Sequence, residues 1–352
     1  MLKHIEYTTV EHQIEKLKKQ HLIINDESFA IDALRYYGYS NLIKSYREPY
    51  IISGEGRIRY RDGVSFEQIV SLYVLDKNLR NAVMASMLDL EEIVKAAAAE
   101  VIASKFGTDQ NNYLSFKNYA NKRKRKKYFS LDSILDRMKK ALDTDRDPVN
   151  HCLSHHGNVP PWILFKEVYF STIVNFIDQF KKSEKIETAN LLYDGSALGL
   201  SEESLSYLMV DSLSIALEYR NLVAHGGRTY NYSASADLRT ELIFNNDSFP
   251  SVAGFSMLLF ILRLLRYLAP FERLHSVLEN EVGRHCSSYP EDATYLGQIL
   301  NVNISRRDAV YISKRSNKFH LDEHCSGMHN AIQIDRSEAE ENGYVPCARC
   351  CK

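Results

Sequence analysis

The sequence predicts a large all-α domain followed by a small α+β module that carries a Cys/His cluster. Three observations carry that prediction. Apolar residues recur at three- and four-residue spacing through most of the first 290 positions, the mark of helices with one buried face. Only fifteen glycines and eight prolines interrupt 352 residues, about half the usual share, which favours long helices. Four of the six cysteines, Cys325, Cys347, Cys350 and Cys351, crowd into the last 28 residues, where the texture turns β-branched and polar.

Length and charge set the outer limits. At a usual size of roughly 150 residues per domain, the chain holds about two domains. It is long enough to bury a core without disulfides. Lys and Arg number 44 against 45 Asp and Glu, for a net charge of −1. A protein that coats nucleic acid by bulk positive charge is thereby excluded; a local basic site is not. The start, MLKHIEYTTVEHQIEKLKKQ, has no apolar leader core. Residues 255–268 are the most apolar stretch, and Arg263 and Arg266 interrupt them well short of a membrane span. The expectation is a cytoplasmic protein with no membrane partner.

In chain order, residues 11–45 read as two amphipathic helices separated near Asp26. Residues 48–63, with Pro49, three glycines and the alternating Arg57-Ile58-Arg59-Tyr60-Arg61, read as an exposed loop or small hairpin. Ser65 is placed to cap a long helix that Gly107 ends. A basic block, Lys122, Arg123, Lys124, Arg125, Lys126 and Lys127, then precedes the helical SLDSILDRMKKAL. It is either a solvated surface or a contact for RNA phosphates. His151, Cys152, His155 and His156 sit on a short segment between Pro148 and Gly157, and read as incidental histidines on an exposed helix rather than a metal pair. Pro160-Pro161 opens a predicted helix WILFKEVYFSTIVNFIDQF. Further helices are predicted over 201–225 and 251–269. The boundaries drawn are a helical domain over 1–290, a linker over 291–305 and a Cys/His module over 306–352.

Arg220-Asn221 and His225 stand at the end of the 201–225 helix, before Gly226-Gly227. An arginine and a histidine separated by four to six intervening residues are weak by themselves: a chain of this composition holds about two such pairs by chance. This one holds three. Arg146 to His151 crosses Pro148, and Arg315 to His320 lies in the β-like tail; only Arg220 to His225 rides on a convincing helix. There Asn221 and His225 are i,i+4 neighbours, so the amide is placed to orient the imidazole. The helix dipole at this end favours an imidazolium. Such a histidine suits general acid/base chemistry, and the arginine suits a phosphate. In RNA the 2′-OH is a built-in nucleophile, so cleavage needs no metal in principle. One histidine cannot serve both sides of one phosphorus, and a two-fold homodimer would supply the second. The plainer reading is a histidine that only caps carbonyls.

Four ordered blocks resemble the Abi-like family of bacterial abortive-infection proteins of the AbiD/AbiF type, which belong to the HEPN superfamily. They are HQIEKLKKQHLIINDESFAIDALRYYGYSNLIKSYREPY, SFEQIVSLYVLDKNLRNAVM, PPWILFKEVYFSTIVNFI and EYRNLVAHGGRTYNY. The resemblance implies a helical HEPN core and a toxin-like endoribonuclease of phage defence, acting on RNA, with catalytic Arg220, Asn221 and His225. It also leaves room for a cognate antitoxin, either protein or small RNA. Relatives often carry a second histidine where Gly226 stands here. A different class stays open beside it: a non-catalytic RNA-binding or sensor protein using the same residues.

In the tail, Cys347-x2-Cys350 is one half of a zinc knuckle and His320-x4-Cys325 the other. One histidine and three cysteines would close a tetrahedral site, so the zinc expected is structural. His324 and Cys351 are the alternative ligands. Ser337-x-x-Glu340 reads as a capping box for a short helix between the halves. The segment Phe319-His320, Cys325 and Gly343-Tyr344-Val345-Pro346-Cys347-Ala348-Arg349-Cys350 also resembles small Ada-like metal-binding modules.

Overall fold

The computed structural model describes residues 4, 6–52, 58–123, 126–244, 252–301, 309–313, 316–321, 325 and 331–351. It is mostly helical, with short strands near the start and in the tail. The first helices are α1 (Val10–Lys19) and α2 (Glu27–Tyr37), each capped by a side chain, Thr9 and Asp26, that accepts an N–H of the first turn. A two-residue pair, β1 (Ile51–Ile52) and β2 (Arg59–Tyr60), forms the small hairpin expected of the Gly-rich stretch. Next comes α3 (Phe66–Phe106), 41 residues long. Ser65 Oγ accepts the Gln68 N–H at 3.1 Å at its start.

The chain continues through α4 (Gln110–Tyr113), α5 (Leu131–Lys140), α6 (Val149–His156), α7 (Pro161–Leu164), α8 (Phe170–Asp178), α9 (Lys182–Leu192) and α10 (Gly195–Leu198). Then follow α11 (Glu202–Ala224), α12 (Thr240–Phe244), α13 (Phe255–Arg263), α14 (Ala269–Ser288) and α15 (Ala293–Leu300). In the tail, β3 (Ala309–Ile312) pairs antiparallel with β5 (Ile332–Asp335). There β4 (Lys318–Phe319) pairs in parallel with β6 (Val345–Pro346), and α16 (Arg336–Glu341) lies between β5 and β6 in the chain.

Three expectations are corrected. The helix predicted from Trp162 to Phe180 is broken: α7 gives way to a 3₁₀ turn, and Val168 is extended (φ −103°, ψ 133°) before α8 starts. Both sides are apolar and buried, so periodicity alone could not show the break. The helix predicted over 251–269 starts at Phe255 and stops at Arg263. Leu265 bridges to Tyr193, and Pro270 enters α14, where its missing N–H costs nothing. The capping box is displaced, because α16 begins at Arg336 and Ser337 lies inside it; Arg336 Nε reaches Glu340 at 2.9 Å. Within 291–305, α15 covers Ala293–Leu300, and residues 302–305 lie outside the described ones.

The chain divides into two compact units: Met1–Leu75 with Glu279–Gln298 and Val302–Lys352, and Asp76–Leu278 with Ile299–Asn301. The first has a buried polar network at its centre. His285 Nε2 meets Asp292 Oδ2 at 3.0 Å and Nδ1 meets Ser71 Oγ at 2.9 Å. Tyr50 and Gln68 also donate to Asp292, at 2.7 and 3.0 Å. Burial pushes the Asp292 carboxyl up, but hydrogen bonds from His285, Tyr50 and Gln68 outweigh it and hold the group below its ordinary value. In the second unit α11 packs against α8, α9, α12 and α13, and twelve of its 23 residues are buried.

Candidate functional site

Helix α11 is built to start and stop sharply. Ser201 Oγ accepts the Ser204 N–H at 3.1 Å, with Glu202 and Glu203 in the first turn where the dipole favours them. At the far end Gly226 takes φ +71°. Its N–H bonds to Val223 C=O at 3.1 Å, and that of Gly227 to Leu222 C=O at 2.9 Å. This is the paired-bond ending in which a left-handed residue turns the chain away from the axis. A Cβ at Gly226 would meet nothing within 4 Å, whereas one at Gly227 would lie 2.3 Å from Leu222 Cδ1.

The abrupt end leaves the predicted residues at the surface of their unit. Asn221 and His225 are exposed and Arg220 is half-buried, with Nε out of water and without a hydrogen-bond partner. No hydrogen bond or ion pair engages the side chains of Arg220, Asn221 or His225 among the described residues. The expected amide-to-imidazole contact is absent: the bond between these two residues runs from the His225 N–H to the Asn221 carbonyl at 3.2 Å. His225 is the C-cap (φ −98°, ψ 11°), where the chain leaves the helical path.

The loop beyond is held from two sides by groups that sequence reasoning missed. Asp76, fully buried on α3, accepts the N–H groups of Thr229 and Tyr230, both at 2.8 Å. One turn on, Arg80 Nη1 donates to the Gly226 carbonyl at 2.7 Å. Glu218 on α11 accepts from Ser235 N–H (2.7 Å), Ser235 Oγ (2.7 Å), Tyr232 OH (3.0 Å) and Ala236 N–H (3.0 Å). Burial pushes the Glu218 carboxyl up, yet hydrogen bonds from Ser235, Tyr232 and Ala236 hold it below its usual value. One signal for Asp76 was legible: it shares a stripe with Leu72, Leu79 and Val83, all fully buried, and a carboxylate on a core stripe requires donors.

The basic block stands apart from this helix end. Lys122 is fastened near the end of α8, its N–H to Gln179 Oε1 at 2.7 Å and its Nζ to Asp178 at 3.1 Å. Arg123 and Lys126 are exposed, and Lys127 opens a 3₁₀ turn, Lys127–Phe129. Lys124 and Arg125 lie outside the described residues, as does His324. His151, His155 and His156 are exposed on α6, with the first two rings stacked at 4.3 Å.

In the tail the structure brings all four predicted ligands together. Ligand atoms of His320, Cys325, Cys347 and Cys350 lie within 4.8 Å of one another, the first three residues buried and Cys350 half-buried. Among the described residues this is the one group of His, Cys and acidic side chains close enough to hold an ion. The strands make it so. His320 exchanges backbone bonds with Tyr311 (2.8 and 2.9 Å), and the Cys347 N–H bonds to Phe319 C=O at 3.0 Å, which sets the two ligand pairs side by side. Backbone N–H groups of Arg349 and Cys350 hold the Cys347 thiol below its ordinary pKa, the direction a metal-ligating thiolate requires. Cys351 hydrogen-bonds to Phe319 C=O at 3.5 Å and packs against the small core of Val310, Phe319 and Ala339. The donor set fits a metal ion.

No helix among the described residues is long and apolar enough to cross a membrane. Neither a search of curated proteins nor one of solved structures returned a match. A family model described as Abi-like protein does match, over residues 32–231, more than half of the chain and the whole of α11 with its glycine ending. The chain therefore belongs to the Abi-like protein family, which supports a role in abortive infection.

Proposed function

We propose that this protein is a toxin-like HEPN endoribonuclease that acts in bacterial phage defence by cutting RNA at the end of α11. The observation that supports this reading is the trio of Arg220, Asn221 and His225, which stand at one helix terminus with no side-chain hydrogen bond or ion pair among the described residues. The buried Nε of Arg220 without an acceptor leaves a donor for which a bound phosphate oxygen would be a fitting partner.

The chemistry follows from the residue types. His225 takes the proton of a 2′-OH, and the freed oxygen bonds to the adjacent phosphorus as the bond to the 5′-oxygen breaks. The products are a 2′,3′-cyclic phosphate and a 5′-hydroxyl. The leaving oxygen needs a proton from the opposite side, and His225 of a second copy in a two-fold homodimer supplies it. Arg220 holds the non-bridging oxygens and stabilises charge that develops there. Asn221 offers an exposed amide for the sugar or phosphate. Zinc on His320, Cys325, Cys347 and Cys350 is structural, since four protein donors leave no open position. A restraining antitoxin, protein or small RNA, fits such an enzyme.

Purified protein free of any regulator, incubated with mixed RNA in EDTA, should yield cyclic-phosphate ends. His225→Ala and Arg220→Ala should each lose cleavage by on the order of a hundredfold or more. Equal cleavage by all three, or none by the wild type, overturns the assignment. RNA affinity that falls in both variants without any product would favour a non-catalytic RNA sensor.

A further inference from the structure

We infer that Arg80 is a second phosphate-binding residue of the α11 site, gripping the RNA backbone beside Arg220; this rests on the reading of that helix end as an RNA site. Arg80 comes from α3, 140 positions earlier in the chain than Arg220. Its Nη1 is 2.7 Å from the carbonyl of Gly226, the residue directly after His225, so its guanidinium stands at the imidazole's own segment. That one bond uses one of five N–H donors. Among the described residues no carboxylate pairs with Arg80, and Asp76, the acid one turn away, is occupied by the N–H groups of Thr229 and Tyr230.

A carbonyl clamp alone needs a single donor, which a lysine or glutamine could provide. A planar fork with one tooth fixed on the loop keeps the others at a set angle, the geometry that holds two oxygens of a phosphate. Arg80 thus stands at the segment that bears His225, and Arg220 lies on the last turns of the helix that leads into it; among the described residues neither has an anionic partner. Asp76, one turn before Arg80 on α3, fixes the same loop through Thr229 and Tyr230, so the fork and the loop after His225 are tied to one helix.

The test is made in the His225→Ala background, where RNA survives. Binding of a labelled single-stranded RNA of mixed sequence is measured by anisotropy across a potassium chloride series, with and without Arg80→Gln. Loss of one phosphate contact should weaken binding about tenfold at low salt and reduce the salt slope by about 0.7. An unchanged affinity and slope would remove Arg80 from the site. Arg80→Lys, with His225 restored, covers the case in which the glutamine variant does not fold. It should lose about tenfold in cleavage, because a point charge cannot replace a fork; cleavage equal to wild type would sink the inference. The two readings separate cleanly. RNA that binds through Arg80 but is never cut by the wild type ends the nuclease assignment alone. RNA that is cut with no effect of either variant ends the Arg80 assignment alone.

Discussion

Two neighbouring glycines follow His225, and each answers a different constraint. Gly226 needs its backbone angle: at φ +71° an L side chain is strained even in open space. Gly227 needs its missing Cβ, since Leu222 occupies that volume. Gly226→Ala should cost about 1 kcal/mol, the usual penalty for a left-handed residue with a side chain. Gly227→Ala should cost more, because Leu222 must leave its place on α11 or the turn must open. Denaturant titration of the two variants checks the order. If Gly227→Ala were the milder, the close approach would not constrain the turn. The same angle suits the glycine that stands at 226: a histidine there would carry that strain in this chain.

At the scale of elements, α3, α11 and the tail were legible for local reasons. Ser65 and Ser201 announce their helices, Gly107 and Gly226 end them, and the Cys/His spacing draws four ligands to one point. The breaks at Val168 and after Arg263 were not legible, because apolar residues continue in the sequence on both sides, although Tyr267 and Leu268 after the second break are exposed. Arg80 was not legible either, since its meaning depends on a carbonyl 146 positions away. The tail is the element that most needs a ligand. Its core is Val310, Phe319 and Ala339 with a few partly buried neighbours, too little apolar surface to hold two short strand pairings unaided. Elemental analysis should find one zinc per chain, and Cys347→Ser should abolish it. Full occupancy in that variant would place the ligands elsewhere.

Over the whole molecule, charge is nearly balanced, and what matters is where ionised groups are confined. Each unit holds a carboxylate that its surroundings keep ionised: Asp292 under hydrogen bonds from His285, Tyr50 and Gln68 in one, Glu218 under those from Ser235, Tyr232 and Ala236 in the other. Both folded pKa values are depressed, so their stabilisation is complete above the unfolded carboxylate range of about 4 and is lost as pH falls through the folded values. The melting temperature should therefore drop with acid below about pH 4. Asp292→Asn and Glu218→Gln should each flatten that dependence, and a slope equal to wild type in both would show that other groups carry it.

The unpaired Nε of Arg220 has a thermodynamic consequence. A nitrogen removed from water with no acceptor makes the folded state less favourable than its packing allows, and any anion that reaches the guanidinium lifts that penalty only while the chain is folded. Ligand occupancy and folding are then linked quantities. At a hundred times its dissociation constant, an anion seated there would deepen the native well by about 2.7 kcal/mol. The end of α11 would thus report the presence of a bound anion through the melting of the helix that carries it.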